Sequence, residues 1–293
     1  MSKTWLITGA SSGLGAALAH HVLRAGHKVV GAVRNIAKAQ QTYPHFEELG
    51  GAWAQLDVTD PKTKEHVARL SREHGGFDVV VNNAGYSILG SIEDMNETEI
   101  HQQIDTNLYG PIRVIQGCLP SMREKKTGCI VNISSVAGLI GRPATALYSA
   151  SKFGLEGLSE SLASELGEFG IRVLVVQPGG FRTGFLSAYV KPAAGLNPAY
   201  EGKALGQAMQ RYDTADGTQR GDPEKAAARI FDAVEQQGLC AEAASYLRMP
   251  LGSDCYAVLR AKVDALKENM DGMEGIAHST DYTQGGRGSL HLM

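Results

Sequence analysis

Short apolar runs recur along the first two thirds of the chain. Between them lie longer stretches whose apolar positions return every three or four residues. The runs predict strands at Trp5–Thr8, Lys28–Val33, Ala52–Asp57, Asp78–Asn82, Cys129–Ser134 and Arg172–Gln177. Several, such as IRVLVV, are apolar at successive positions, so both faces of each strand need cover. A parallel sheet with helices on each side supplies it. The periodic stretches predict helices near Gly13–Ala25, Pro61–His74, Glu97–Glu124 and Tyr148–Gly170. Asp60-Pro61 reads as an N-cap followed by the first helical residue, and Gly26 and Gly170 stand where C-terminal caps belong. Pro111 is expected to kink the third of these helices or to begin its second half. The strand–helix alternation predicts an α/β fold with a doubly wound parallel sheet in three layers.

The regularity stops after Thr183. Residues 184–221 hold Pro192, Gly195, Pro198, Gly202 and Gly217 among helical fragments, and read as an insertion over one edge of the sheet. A helix then opens at Asp222-Pro223-Glu224 and runs to about Gln237. A short strand near Ser245–Met249 and a helix after Ser253 follow. The expected organisation is a single domain over 1–270, with 184–221 as a lid, and a tail over 271–293 that turns Gly- and Ser-rich from His278.

Composition narrows the function classes. The 293 residues carry 28 Lys and Arg against 31 Asp and Glu, a net −3, with 43% apolar residues. That is enough apolar surface for a sizeable core and excludes bulk disorder. The balance gives no field for nucleic acid or an anionic membrane, and no apolar stretch approaches the ~20 residues of a membrane span. Cys118, Cys129, Cys240 and Cys255 lie far apart, and the histidines show no ligand spacing, so neither a metal site nor a disulfide framework is expected. The sequons at Asn96 and Asn132 read as chance. MSKTWLITGA runs straight into the first strand without a leader, and a cytoplasmic protein is expected.

The candidate chemistry begins at Thr8-Gly9-Ala10-Ser11-Ser12-Gly13-Leu14-Gly15, between the first strand and the first helix. Glycines let the backbone turn tightly and approach a diphosphate. The amides and positive dipole of the helix start favour the anion, and Ser11 and Ser12 offer further donors. Tyr148 and Lys152 are four apart on a predicted helix and share a face. A free phenol, with a pKa of about 10, is too weakly acidic to work as a base near neutrality, and a neighbouring ammonium is expected to lower that value.

The glycine spacing, Gly-x3-Gly-x-Gly, resembles that of the short-chain dehydrogenase/reductase family. Asn82-Asn83-Ala84-Gly85 matches its NNAG segment, and Asn107 its asparagine in the long helix. Ser135, Tyr148 and Lys152 match its serine and YxxxK pair, and Pro178-Gly179 with Thr183 its PG…T segment. The resemblance covers residues 4–184 and implies a Rossmann sheet, a nicotinamide cofactor and hydride transfer. It implies that Tyr148 exchanges a proton with the substrate oxygen while Ser135 hydrogen-bonds it, Ser134 being the rival serine. It further implies that Lys152 holds the nicotinamide ribose, that Asn107 holds a relay water, and that Phe181 borders the nicotinamide. Tyr and Lys are separated by three residues, against six in enoyl reductases.

The second strand ends Val33-Arg34-Asn35 with no carboxylate for the ribose hydroxyls, and Arg34 stands where a guanidinium can meet a 2′-phosphate. NADP(H) is therefore the expected cofactor. Asp57, in Leu56-Asp57-Val58, matches the family position beside the adenine, or simply caps the next turn. Phe185, Leu186, Tyr189, Leu196, Tyr200, Met209 and Tyr212 suggest a moderately apolar carbonyl or alcohol substrate, although each serves equally to pack the lid. The resemblance branches toward carbonyl, hydroxysteroid and retinol reductases, and implies a homodimer or homotetramer paired through the long helices. The rival readings are a biosynthetic reductase of an imine or polyketide carbonyl, and a catalytically silent nucleotide-binding scaffold.

Overall fold

The computed structural model describes residues 2–242 and 246–282. Among the described residues seven strands form one parallel sheet in the order β3-β2-β1-β4-β5-β6-β7. They are β1 Thr4–Thr8, β2 Lys28–Val33, β3 Gly51–Gln55, β4 Val79–Asn82, β5 Gly128–Ile133, β6 Ile171–Pro178 and β7 Arg248–Leu251. The order reverses between β1 and β4, which opens a crevice at the carboxyl ends of those strands.

Strand alternation sorts the core into two layers. Trp5 and Ile7 of β1 face one cluster with Leu18 and Val22 of α1 (Gly13–Arg24) and Ile230 and Phe231 of α8 (Pro223–Glu235). Leu6 faces the other, with Val67 of α3 (Thr63–Glu73), and with Ile115 and Met122 of α5 (Gly110–Lys125). A sheet covered on both faces is why its strands read as continuous apolar runs. The remaining helices are α2 (Ile36–Thr42), α4 (Glu97–Ile104), α6 (Ala146–Gly167), α7 (Ala204–Thr214) and α9 (Ser253–His278).

Three local readings are corrected. Asp60 does not cap α3: its carboxylate accepts from the Lys62 amide in a turn, and the helix begins at Thr63. β3 ends at Gln55, because Asp57 folds onto Thr59 in its own turn. The stretch 97–124 is not one α-helix. A π-helical turn, Asp105–Tyr109, divides it, and α5 restarts with Pro111 in its first turn, where proline costs nothing. At the C-terminal side, β7 begins at Arg248, and Ser245 lies outside the described residues. α9 continues through His278, eight residues into the segment read as a tail, and residues 283–293 lie outside the described residues.

Candidate active site

The turn after β1 is clamped from β4. Asn83 donates through Nδ2 to the carbonyls of Thr8 (2.9 Å) and Gly9 (3.2 Å). The Thr8 hydroxyl in turn accepts from the amides of Asn83 and Ala84, each at 3.0 Å. Gly9 and Gly13 have φ of +66° and +54°, conformations that side chains resist. A Cβ on Gly9 would lie 3.0 Å from the Ala84 backbone, and one on Gly13 would lie 3.3 Å from Thr183. These contacts bring the glycine turn, Asn83–Gly85 and Thr183 together around one end of α1. The first amides of α1 have no partner within the helix, and the Ser12 side chain makes no capping bond. Free donors, a positive helix end and a backbone stripped of Cβ atoms suit a dinucleotide diphosphate.

Around the crevice, Arg34 is exposed at the end of β2. Burial alone would raise the Asp57 pKa, but bonds from Thr59 and the charge of Arg34 more than offset it, so the carboxyl is held below its ordinary range. Asn35 is spent capping α2 at the Lys38 amide. Val58 is buried, and its carbonyl accepts from Arg113. Gly179 donates to the Leu251 carbonyl, and Gly180 to Asp254, which anchors the Pro178–Gly179 segment to the start of α9. The ring of Phe181 packs against the core beside Gly221 and Gly252, which leaves its backbone beside Thr183.

Tyr148 and Lys152 sit one turn apart near the start of α6, both buried. Lys152 Nζ donates to the Ile133 carbonyl at the end of β5 (2.8 Å) and lies 5.9 Å from the Tyr148 ring centroid. Ser135 accepts from the Ala137 amide and lies close enough to Tyr148 to act on its phenol. Its neighbour Ser134 is buried, and its hydroxyl has no partner among the described residues. The geometry thus pairs Ser135, not Ser134, with the tyrosine.

The expected lowering of the phenol pKa is not found. Burial dominates and pushes Tyr148 up to about 12, with Ser135 acting weakly the other way. The Lys152 ammonium is directed at a backbone carbonyl, not at the phenol oxygen. Burial also brings Lys152 down to about 8, although Glu156, one turn further along α6, pulls it upward. At neutral pH the pair is a neutral phenol beside a cation.

Asn107 is fully buried in the π turn. Its Oδ1 accepts from the Tyr86 amide, and its Nδ2 donates to the Tyr86 carbonyl and to Ser151. A Cβ on Gly85 would lie 3.1 Å from Asn107 Oδ1 and 3.7 Å from Lys152 Nζ, so all three meet at one point. The extra residue of the π turn re-aims Asn107 toward the loop after β4 while α4 keeps its own register.

Several bracing roles escaped sequence reasoning. Gln103 is fully buried, accepts from Ile88 and donates to the Tyr86 carbonyl. Asn82, Asn132 and Ser159 form a buried chain from β4 through β5 to α6. Glu156 accepts from Gln177 (2.9 Å) and Arg248 (3.0 Å). Gln103 stands four before Asn107, and Glu156 four after Lys152, so same-face helical spacing was the available signal.

Residues 184–221 are held differently. Tyr189 and Tyr212 pack with Leu89, Ala144 and Met209, so they fix this segment to the body. Leu196 and Met209 line a 510 Å³ cavity with Lys191, Glu201 and Asp213, but Tyr148 does not border it. Of the predicted apolar residues, Phe185 approaches the tyrosine, with ring centroids 5.8 Å apart.

Comparison with known proteins supports this geometry. The family model for short chain dehydrogenases matches residues 3–193. Oxidoreductase claN of Passalora fulva is 50% identical over 212 residues, covering 72% of this chain and 96% of its own. A short-chain dehydrogenase structure from Streptomyces avermitilis is 36% identical, with a TM-score of 0.84 over 96% of this chain and 100% of that one. The structure of ElxO with NADP bound is 27% identical, with a TM-score of 0.64 over 79% of this chain and 90% of that one.

Proposed function

The chain belongs to the short-chain dehydrogenase family, and from that premise we propose that it is an NADP(H)-dependent oxidoreductase acting on a carbonyl compound or the corresponding secondary alcohol. The observation that carries this reading is the buried Tyr148 phenol, beside Ser135 and one helical turn from Lys152. Thr8–Gly15, Asn83–Gly85, Pro178–Gly179 and Thr183 would hold the cofactor, with Lys152 at its ribose. Arg34 would meet the 2′-phosphate, with Asp57 and Val58 beside the adenine. Phe181 contributes through its backbone only. The preference for NADP(H) rests on a strand end that offers a cation and no carboxylate. It is supported by the NADP in the ElxO structure.

When bound, the nicotinamide supplies or accepts the hydride. The protein's part is the proton. Tyr148, held neutral by burial, donates its phenolic proton to the carbonyl oxygen as negative charge builds there. Ser135 donates a hydrogen bond to the same oxygen and stabilises that charge. Lys152, fixed by the Ile133 carbonyl, places a cation beside the tyrosinate left behind. Asn107 holds the Tyr86 loop and keeps a lone pair of Oδ1 for a water that returns a proton through Lys152. A phenol that holds its proton through neutral pH favours carbonyl reduction there, and alcohol oxidation gains as pH rises. Phe185 beside the tyrosine supports a moderately apolar substrate.

The test is NADPH consumption across a panel of ketones and aldehydes. Wild-type protein turns over at least one of them. Tyr148→Phe retains NADPH binding and loses about 10²–10⁴ of the rate, the usual worth of a general acid. Wild-type and variant rates within threefold of each other would remove the reading.

A further inference from the structure

α9 touches the body only through its first turns. Cys255 is buried, and Val258, Leu259 and Lys262 are half-covered, but every described residue from Val263 onward is exposed. The exposed part is not uniformly polar. Tyr256, Leu259, Val263, Leu266, Met270, Met273 and Ala277 recur at alternating spacings of three and four. That is the a/d pattern of a coiled-coil seam, and it places the side chains in one narrow stripe. Met270 is 71% exposed and Val263 53%. The helix also carries Gly272 and Gly275, each unfavourable in a helix interior. A helix of this kind, with little packing onto its own body, draws its stability from a partner.

The flanking charges choose the partner. With Tyr256 at position a, the e positions are Arg260, Lys267 and Glu274, and the g positions Lys262, Asn269 and Ile276. Two copies paired in parallel would set Lys262 against Lys267 twice, with no attraction in return. Paired antiparallel, the seam layers become Val263 with Met273, Leu266 with Met270, and Leu259 with Ala277. The e positions then set Arg260 against Glu274 on both sides, and Asn269 meets its own copy. The one repulsive meeting, Lys267 with Lys267, is softened by Asp264 and Asp271 at i−3 and i+4 on the same helix. An anionic lipid surface is a poor alternative, because the helix carries three basic against five acidic residues.

We propose that α9 from Leu259 to Ala277 is a self-association surface that pairs antiparallel with α9 of a second copy of this chain. The surface is separate from the crevice and from the long helices α5 and α6. Sedimentation equilibrium on the full chain tests it. Wild-type protein is an oligomer, and Leu266→Glu with Met270→Glu halves its mass while NADPH binding is unchanged. Orientation is read from the charges. Arg260→Glu and Glu274→Arg each weaken association about tenfold, and the two together restore it, since each single change turns two attractive pairs repulsive. A monomeric wild type, or an unchanged mass for the double glutamate variant, overturns the proposal. Failure of the charge swap to recover overturns the antiparallel arrangement. If the wild type is monomeric and begins to associate when truncated after Tyr282, the stripe belongs to the chain's own last residues and the proposal falls.

Discussion

Residues 1–183 and the segment 184–221 are held by different kinds of contact. In the first region, half-buried or buried polar side chains are spent on backbone: Asn83 on Thr8 and Gly9, Gln103 and Asn107 on Tyr86, Lys152 on Ile133. Each bond fixes a loop at the carboxyl end of the sheet, and removing one strands a buried donor or acceptor. In the second region the ion pair and hydrogen bond that tie its loop together lie at the surface. Tyr189 and Lys191 both reach the exposed Asp213, with Lys191 at 2.9 Å. Such pairs are worth little and are screened by salt. The proposed chemistry therefore rests on a rigid frame, and the segment proposed to meet substrate is free to vary.

Substitutions that cross this divide should separate sharply. Asn83→Ala leaves the Thr8 and Gly9 carbonyls without their shared donor. At about 1–3 kcal/mol per stranded buried group, NADPH binding is expected to weaken about 100-fold, read by fluorescence titration. Arg34→Ala removes one charged contact at the exposed rim of the same frame. It should raise KM about tenfold for NADPH and leave that for NADH unchanged. Equal effects on both cofactors would remove the basis for NADP(H). Asp213→Ala cuts both surface bonds of the second region at once. A change of less than threefold in KM, and about 0–1 kcal/mol in stability by urea unfolding, is expected. A loss comparable to that of Asn83→Ala would erase the distinction.

Legibility in the sequence follows the same divide. The glycine turn could be read because steric limits act locally. Gly9 and Gly13 do adopt positive φ, and Tyr148 and Lys152 do share a helix face. The sheet could be read because strands covered on both sides are apolar throughout. Gln103, Glu156 and Ser159 were passed over because their partners lie far away in sequence, and helical spacing to Asn107 or Lys152 marks a shared face without naming the partner. The π turn at Asn107 was invisible because one extra residue barely disturbs an apolar period. Tyr148 misled because spacing to a lysine was visible and burial was not. The ammonium is turned to the Ile133 carbonyl, and desolvation raises the phenol pKa. In residues 184–221, Tyr189 and Tyr212 read equally well as pocket lining or packing, and only their contacts with Leu89 and Ala144 decide.

The central claim is that Tyr148 enters the reaction as a buried, protonated phenol. Carbon-13 labelling of the tyrosine ring, with the Tyr148 signal assigned by its loss in Tyr148→Phe, follows that proton directly as pH is raised on the cofactor-free protein. The account predicts a signal that stays in its protonated position past pH 10 and titrates toward about 12. A midpoint below pH 9 would mean that the phenol is already activated by Lys152, and would contradict it.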